Sequence, residues 1–332
     1  MDEFALIRRH FASLTPASTR GVTLGIGDDA AILKPPPGHE LLMTTDTLVA
    51  GRHFPLQTAA FDIGWKSLAV NLSDLAAMGA EPLWCLLALT LPTADEAWLS
   101  GFTAGLSQLA TQHRVALVGG DTTRGPLSIT ITAVGAAPVG AALRRSGARP
   151  GDHVCVTGTL GDAALALARG GFVSGSAVDL RSPCAQRLID DAELRARLDR
   201  PSPRLAAGLA LRGLAHAALD LSDGLAGDLQ HVLAASGVGA EIDAASLPMS
   251  AAFARQAPDA DRLALQAAGG DDYELCVCLP ASALAAATAA CRDAGVTLTV
   301  IGRITAEPGL RWRAASGEAI TMNLSGYRHF HD

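Results

Sequence analysis

Residues 62–91 read DIGWKSLAVNLSDLAAMGAEPLWCLLALTL, a helix-length segment followed by a strand-length one. The helix is predicted to begin at Asp62, a good capping residue, and to end at Gly79, a residue type that often terminates helices. The apolar run 83–91 has the length and composition of a buried strand. A helix that leads directly into a strand predicts a mixed α/β architecture.

The alternation of helices and strands continues on both sides of this segment. A length of 332 residues is about twice that of a usual single domain, so two domains are expected. The stretch 138–151 is rich in Gly, Pro, Ala and Arg, and we place the boundary there: an N-terminal domain at 1–138 and a C-terminal domain at 139–332. The predicted fold class is α/β or α+β. Predicted strands are 24–33, 41–49, 83–91, 115–118, 127–134, 153–157, 218–221 and segments near 239, 274 and 298; predicted helices are 2–14, 62–79, 93–113 with a Thr93–Glu96 capping box, one after 161, 184–199, 204–215 and 223–235.

Composition excludes several classes of protein. Hydrophobic residues make up 49% and charged residues 18%, which is too apolar for a disordered chain. No apolar run approaches the ~20 residues of a spanning helix, so we expect no membrane association. A net charge of -7 with only four Trp and two Tyr argues against a nucleic-acid partner. The two lysines, Lys34 and Lys66, do not follow the glycines of a Walker loop, which excludes P-loop phosphate binding.

The cysteines and the N-terminus indicate a cytoplasmic protein. The six cysteines form no Cys-x-x-Cys pair, and most lie in apolar surroundings, so we expect buried free thiols. The first ten residues have acids where a signal peptide has bases, and no apolar core follows them.

Aspartates recur beside Gly, Ser and Thr where a predicted strand meets a turn or a helix. Such positions bring carboxylates and backbone N–H groups to one small volume, as a phosphate chain carrying hard cations requires. The alternative interpretation is a set of independent Asx turns and helix caps. This interpretation explains a single motif well but explains six such motifs in one chain less well. The motifs lie at 25–29, 44–48, 71–74, 119–123, 220–224 and 269–273.

The predicted helix at 62–79 is apolar on most sides and therefore buried. Ser67, Asn71 and Asp74 form a narrow polar strip along it, at spacings of four and three residues. A buried carboxylate must be compensated. Asp74 is compensated either by a cation shared with Asp46 or Asp121, or by an ordinary network of hydrogen bonds.

Five motifs, in order, resemble the thiamine-monophosphate kinase family. They are Gly-Ile-Gly-Asp-Asp at 25–29, Thr-Thr-Asp-Thr-Leu-Val at 44–49, Asn-Leu-Ser-Asp-Leu-Ala-Ala-Met-Gly at 71–79, Gly-Gly-Asp-Thr-Thr at 119–123 and Asp-Leu-Ser-Asp-Gly at 220–224. The resemblance implies transfer of the ATP γ-phosphoryl group to thiamine monophosphate, giving thiamine diphosphate. It also implies a two-domain fold like that of aminoimidazole ribonucleotide synthetase, with N-terminal sheets pairing in a homodimer.

The resemblance also implies site residues. Several Mg²⁺ ions on the nucleotide phosphates would be held by Asp29, Thr44, Thr45, Asp46, Asp74, Asp121, Asp220 and Asp223. ATP would be contacted by Gly120, Asp121, Arg145 and Ser222. Thiamine monophosphate would be contacted by His53, Asp271 and Tyr327. The family usually has Gly-Gly-Glu-Asp-Tyr-Glu at 269–274; here Asp271 keeps the charge of that first Glu but reaches one methylene less.

Two of these assignments have structural alternatives. A loop histidine such as His53 is more often a solvated or capping group. Tyr327 lies in a C-terminal aromatic tail, where packing onto the domain is the ordinary role, although its ring would also attract a positively charged thiazolium.

The residues favour metal-assisted phosphoryl transfer without a catalytic base. No Ser-His-Asp set or nucleophile elbow is present in the sequence. The acceptor phosphate has a second pKa near 6 and is mostly a dianion at neutral pH. We therefore expect direct in-line attack. Two alternatives remain: another ATP-dependent synthetase of the same fold, and a non-catalytic sensor of Mg-nucleotide.

Overall fold

A computed structural model describes residues 9–11, 14, 20–170 and 191–321. Tyr327, Cys184, most of the predicted helix 2–14 and the first part of the predicted helix 184–199 lie outside these ranges. The chain folds as two compact units: residues 1–75 with 80–142, and residues 76–79 with 143–332. The composition predicts the boundary at 138/139, four residues before the position at which the units change.

The first unit contains a four-stranded sheet and a small two-stranded one. The four strands lie in the order β3-β6-β4-β5; β6 is antiparallel to β3 and β4, and β4 is parallel to β5. The elements of this unit are β1 (Val22–Leu24), β2 (Ile32–Leu33), β3 (His39–Val49), α1 (Ala60–Ala77), β4 (Glu81–Leu91), α2 (Glu96–His113), β5 (Ala116–Arg124) and β6 (Ser128–Pro138).

Two local predictions in this unit were wrong. The expected continuous strand at 24–33 is instead the short antiparallel pair β1 and β2, because Gly27 adopts a positive φ of 128° and breaks the extended run. Helix α2 is capped by Asp95, whose carboxylate accepts from the Trp98 N–H at 2.8 Å, and not by Thr93. Aspartate caps a helix at least as well as threonine, and here it lies two residues closer to the first helical turn.

Helices α1 and α2 cross at glycine. A Cβ atom on Gly64 would lie 2.0 Å from the Phe102 carbonyl oxygen, and one on Gly105 would lie 1.9 Å from the Phe61 carbonyl oxygen. The backbones of the two helices are therefore in direct contact at both positions. Any side chain at either glycine would force the helices apart.

The second unit is built on a mixed sheet of seven strands. Its order is β13-β12-β9-β11-β7-β10-β8, in which only the β12–β9 pair is parallel. No helix in the described ranges of either unit is long and apolar enough to cross a membrane. The elements of this unit are β7 (His153–Thr157), α3 (Asp162–Arg169), α4 (Ala192–Asp199), α5 (Leu205–Leu211), β8 (Ala217–Asp220), α6 (Leu225–Ser236), β9 (Gly239–Asp243), α7 (Ala251–Gln256), α8 (Asp259–Ala268), β10 (Leu275–Leu279), α9 (Leu284–Asp293), β11 (Leu298–Thr305), β12 (Gly309–Arg313) and β13 (Ala319–Ile320).

The five described cysteines are free and buried, as the composition predicted. Burial raises the pKa of the Cys85 thiol to about 12. Burial also raises the pKa of Cys155 to about 12 and that of Cys291 to about 11. Burial also raises the pKa values of Cys276 and Cys278 on β10. A second contribution comes from the Cys278 sulfur for Cys276 and from the Asp152 carboxylate for Cys278. All five are packing residues of the two cores.

Candidate functional site

The polar strip of α1 faces strand β3. The Thr44 hydroxyl donates a hydrogen bond to the Asp74 carboxylate. The Asp46 N–H donates to Asn71 Oδ1 at 3.1 Å, and Asn71 Nδ2 donates to the Ser67 carbonyl at 3.0 Å. The predicted strip therefore exists, and a hydrogen-bond network is present around Asp74. The network brings Thr44, Asp46 and Asp74 to one side of the sheet.

Thr45 lies on the opposite side of the same strand. Successive side chains of a strand point to opposite faces, so neighbours of Thr44 cannot share its surroundings. The Thr45 hydroxyl pairs instead with that of Thr132 on β6 at 2.7 Å, and Thr47 pairs in the same way with Thr130 at 2.8 Å. The two predicted threonine ligands are thus separated by the sheet.

Asp121 lies at the other edge of this sheet, on β5. Its register partner on β4 is Ala88, which is opposite Thr130 on β6, so Asp121 belongs to the face that carries Thr45. Three strand spacings, roughly 14 Å, separate β5 from β3. Among the described residues, no three His, Cys, Asp or Glu side chains are close enough together to hold a metal ion.

Gly120 can only be glycine. Its φ is +151°, and a Cβ atom would lie 1.9 Å from the Leu87 carbonyl oxygen. The pairing of β4 with β5 shifts register between Cys85 and Leu86, just before this point. The Gly-Gly pair therefore lets β5 approach β4 closely at the position that precedes Asp121.

Asp29 and His53 lie in loops of the first unit. Asp29 is exposed between β1 and β2, and its N–H donates to the Asp28 carboxylate at 2.9 Å. His53 follows β3, and its Nδ1 accepts the Val49 N–H at 3.0 Å. Because Nδ1 is an acceptor, the neutral ring carries its proton on Nε2. The hydrogen bond from the Val49 N–H holds the His53 ring beside the end of β3, the strand that carries Asp46.

The second unit holds the motif 220–224 between β8 and α6. Asp220 ends the strand, and Gly224, with φ +104°, precedes the helix. One oxygen of the buried Asp228, Oδ2, accepts the N–H groups of both Ser222 and Asp223 at 3.0 Å. Burial raises the pKa of Asp228 to about 7, with a further contribution from the charge of Asp223. Asp228 therefore fixes the backbone of the predicted ATP and metal residues.

Arg145 lies on the segment that runs along β8. The Ala218 N–H donates to the Arg144 carbonyl at 2.9 Å, and the Ser236 hydroxyl donates to the Arg145 carbonyl at 3.3 Å. The backbone of Arg145 is thus anchored beside the strand that ends at Asp220. Its side chain is exposed.

The segment 269–274 is hydrogen-bonded to the 220–224 motif. The Asp271 N–H donates to the Ser222 carbonyl and the Tyr273 N–H to the Leu221 carbonyl, both at 2.8 Å. Asp271 and Tyr273 have φ of +67° and +49°, a left-handed conformation that costs a non-glycine residue about 1 kcal/mol or more. The motifs at 220–224 and 269–273, which are separate in the sequence, are therefore joined by hydrogen bonds in the structure.

A buried ionic cluster next to this segment was missed by the sequence analysis. Glu274, fully buried, accepts from Thr157, Arg197 and Arg204. Asp272 accepts the Gly161 N–H at 2.9 Å, and burial raises its pKa well above the ordinary value although Arg197 opposes the shift. The sequence signal was the group of three charged residues, Asp271, Asp272 and Glu274, immediately before the apolar strand β10.

Comparisons with known proteins agree with this architecture. Residues 27–137 match the family model of the AIR synthase related protein, N-terminal domain, and residues 149–314 match that of the C-terminal domain. The chain is 47% identical over 328 residues to thiamine-monophosphate kinase of Escherichia coli strain K12, covering 99% of this chain and 98% of that protein.

Solved structures show the same similarity. Thiamine-monophosphate kinase from Stenotrophomonas maltophilia K279a superposes with a TM-score of 0.83 and 48% identity, covering 96% of this chain and 98% of that one. AaThiL complexed with AMPPCP and TMP superposes with a TM-score of 0.74 and 29% identity, covering 92% of each chain. These matches confirm the predicted mixed α/β fold of two AIR synthase related domains. The chain belongs to the thiamine-monophosphate kinase family.

Proposed function

We propose that this protein phosphorylates thiamine monophosphate with ATP, giving thiamine diphosphate and ADP. The observation that carries the proposal is the identity of 47% to a thiamine-monophosphate kinase over 99% of the chain. The complex of AaThiL with AMPPCP and TMP supports the choice of both substrates. The proposed activity makes the protein a phosphotransferase whose acceptor is itself a phosphate group.

Mg²⁺ is the cation that the donor atoms suit. The predicted ligands offer only carboxylate and hydroxyl oxygens, and Mg²⁺ prefers such ligands and is usually held by one or two carboxylates together with substrate phosphates. Bound Mg²⁺ would neutralise the charge of the transferring phosphoryl group. Thr44, Asp46 and Asp74 lie on one side of the sheet, whereas Thr45 and Asp121 lie on the other side, on its two opposite edge strands. This separation favours more than one ion position.

The proposed reaction is a single in-line displacement. An oxygen of the thiamine phosphate attacks the γ-phosphorus, the bond to the β–γ bridging oxygen breaks, and ADP leaves with that oxygen. The attacking phosphate is already mostly a dianion at neutral pH, so no protein group has to remove a proton. The contribution of the chain is to position both substrates.

The residues that the family resemblance implies are proposed to bind the two substrates. Gly120, Asp121, Arg145 and Ser222 are assigned to ATP. His53 and Asp271 are assigned to thiamine monophosphate, together with Tyr327 outside the described ranges. His53 in its neutral form would donate from Nε2, because Nδ1 already accepts the Val49 N–H.

A homodimer through the first unit is part of the proposal. The face of the four-stranded sheet that carries Thr45 also exposes four large apolar residues, of which Met43 is 66% exposed. Covering such a face with a second copy would remove this apolar surface from water. The other three residues are Leu41, Val49 and Leu86. Light scattering would test the state of association, and Met43→Glu is expected to favour the monomer.

The cytoplasm is the proposed location. Five described cysteines are free thiols, which persist in a reducing compartment. Fractionation of cells that express the tagged protein would test this assignment.

A coupled ADP assay tests the activity itself. The assay compares thiamine monophosphate, thiamine and no acceptor, with formylglycinamidine ribonucleotide as a fourth substrate. ADP release with the monophosphate alone supports the proposal. Release only with the ribonucleotide would indicate a synthetase of the same fold. Binding of Mg-ATP without acceptor-dependent release would indicate a nucleotide sensor.

A further inference from the structure

The strap, defined as residues 269–274, is held in a conformation that its own backbone does not favour. Asp271 and Tyr273 are both non-glycine residues with positive φ, of +67° and +49°. Such conformations persist only where surrounding contacts impose them. The hydrogen bonds to the Ser222 and Leu221 carbonyl groups hold the N–H groups of these two residues.

The inner end of the strap is fixed by an arginine clamp, defined as Arg197, Arg204 and Glu274. Arg204 binds both oxygens of the Glu274 carboxylate, with Nε 2.6 Å from Oε2 and Nη2 on Oε1. Arg197 Nη2 lies 2.7 Å from Oε1. The Thr157 hydroxyl donates to Oε2 at 2.7 Å. Every direction from which the carboxylate can accept a hydrogen bond is thus occupied.

The clamp leaves Glu274 no other position. Its side chain is fully buried, and a Cβ atom on Gly158 would lie only 2.1 Å from Oε1. The fork of Arg204 matches the two carboxylate oxygens, a geometry that the single ammonium group of lysine does not reproduce. Asp272, one residue beyond Asp271, is tied down by the Gly161 N–H at 2.9 Å.

We propose that the arginine clamp positions Asp271 for binding of thiamine monophosphate. By fixing Glu274, the clamp holds the strap, and with it Asp271, beside Ser222. The clamp residues position Asp271 without touching the substrate themselves. The inference rests on the proposed function, in which Asp271 contacts thiamine monophosphate. The Ser222 and Asp223 backbone is anchored separately by Asp228, so the clamp acts on the acceptor more than on ATP.

Amide hydrogen exchange tests whether the clamp holds the strap in place. The variants are Arg197→Lys and Arg204→Lys. The control is Arg195→Lys, on the helix α4 that also carries Arg197; the partner of Arg195 is Asp199 and not the strap. In both test variants, exchange of the Asp271 and Tyr273 amides should accelerate at least tenfold, while β10 and α6 stay protected. The control should leave strap exchange unchanged. Unchanged exchange in both test variants would overturn the proposal.

Steady-state kinetics test the functional half. Both test variants should raise the KM for thiamine monophosphate at least fivefold and change the KM for Mg-ATP less than twofold, whereas loss of fold alone would lower the active fraction without changing either KM. Glu274→Gln should give the same pattern more strongly; if it does not fold, the lysine variants decide. Faster strap exchange with an unchanged KM for thiamine monophosphate would refute the positioning role.

The failure of this inference is distinguishable from the failure of the proposed function. A wild-type protein that is inactive with thiamine monophosphate contradicts the proposed function and the substrate half of the inference. A wild-type protein that is active, with variants that show the control's kinetics, contradicts the clamp alone.

Discussion

Ionisation of Asp228 should reduce the stability of the folded protein as the pH rises. Burial, with the charge of Asp223 as a second cause, raises the pKa of this carboxyl from its ordinary value of 3.8 to about 7. One pKa unit corresponds to about 1.4 kcal/mol, so the charged form costs about 4 kcal/mol more in the folded protein than in the unfolded chain.

The sign follows from the order in which the two states lose their protons. Below pH 3.8 both states are protonated and the cost is absent. Between pH 3.8 and 7 the unfolded chain ionises while the folded protein keeps its proton, so the free energy of unfolding falls as the pH rises. Between pH 5 and 8 the contribution of Asp228 should fall by about 2.5 kcal/mol.

Asp228→Asn isolates this contribution. Asparagine keeps an oxygen that can accept the N–H groups of Ser222 and Asp223, but it does not ionise. The free energy of unfolding of the variant, relative to wild type, should therefore increase by about 2.5 kcal/mol from pH 5 to pH 8. Urea denaturation followed by circular dichroism, in buffer containing EDTA, measures this difference at each pH.

A constant difference between variant and wild type over this range would refute the reasoning. Asp223→Asn provides the control, because removing the neighbouring charge should lower the pKa of Asp228. In that background the loss of stability should still begin near pH 3.8, where the unfolded chain ionises, but it should end at a lower pH and be smaller. No change in the Asp223→Asn profile would assign the raised pKa to burial alone.

Four further predictions concern the fold and the proposed activity. Gly105→Ala should destabilise the protein by about 2–3 kcal/mol, because the methyl group would separate α1 from α2. The control is Gly101→Ala on the same helix, where a Cβ atom would have its nearest neighbour at 3.2 Å and should cost little. Equal melting temperatures of the two variants would contradict this prediction. Asp46→Asn and Asp121→Asn should each reduce turnover at least 10²-fold with unchanged circular dichroism, and near-normal kcat at millimolar Mg²⁺ would count against their role. Mg-ATP should raise the melting temperature more than ATP with a chelator, since bare carboxylates repel the triphosphate; equal shifts would exclude the carboxylate–metal account. The acid limb of kcat/KM should follow the acceptor phosphate, near pH 6, and should remain in His53→Asn, in which only KM rises; if the limb disappears in that variant, histidine is the base.

Elements with strong local signals could be predicted from the sequence. Strand β7 has the predicted ends, and α1 is displaced by only two residues, because an apolar run or a helical period identifies a buried element without knowledge of its neighbours. The aspartate motifs were found for a similar reason. Gly, Ser and Thr beside Asp mark places where a chain turns, and turns follow local chemistry.

Side-chain placement depended on contacts between distant segments. Thr44 and Thr45 lie on opposite faces of the sheet because side chains alternate along a strand, which the sequence can predict. The distance between Asp46 and Asp121 depends on the order of the strands in the sheet, which no local sequence pattern contains. Glu274 and its arginines are 70 and 77 residues apart in sequence. In the sequence, Arg197 on the polar helix α4 and Arg204 just before α5 resemble solvated surface residues, because only the fold brings a buried carboxylate to them. The positive φ of Asp271 was equally hidden, since nothing but tertiary contacts imposes it.

The buried thiols of the two cores imply a particular chemical inertness. Alkylating agents and peroxides attack the thiolate, and a cysteine with a pKa of about 12 is ionised in only about one molecule in 10⁵ at neutral pH. None of the five described thiols therefore offers a target for oxidation while the protein stays folded. Within the part of the chain that the structure describes, oxidation of a thiol is therefore not a route by which the folded protein would lose activity.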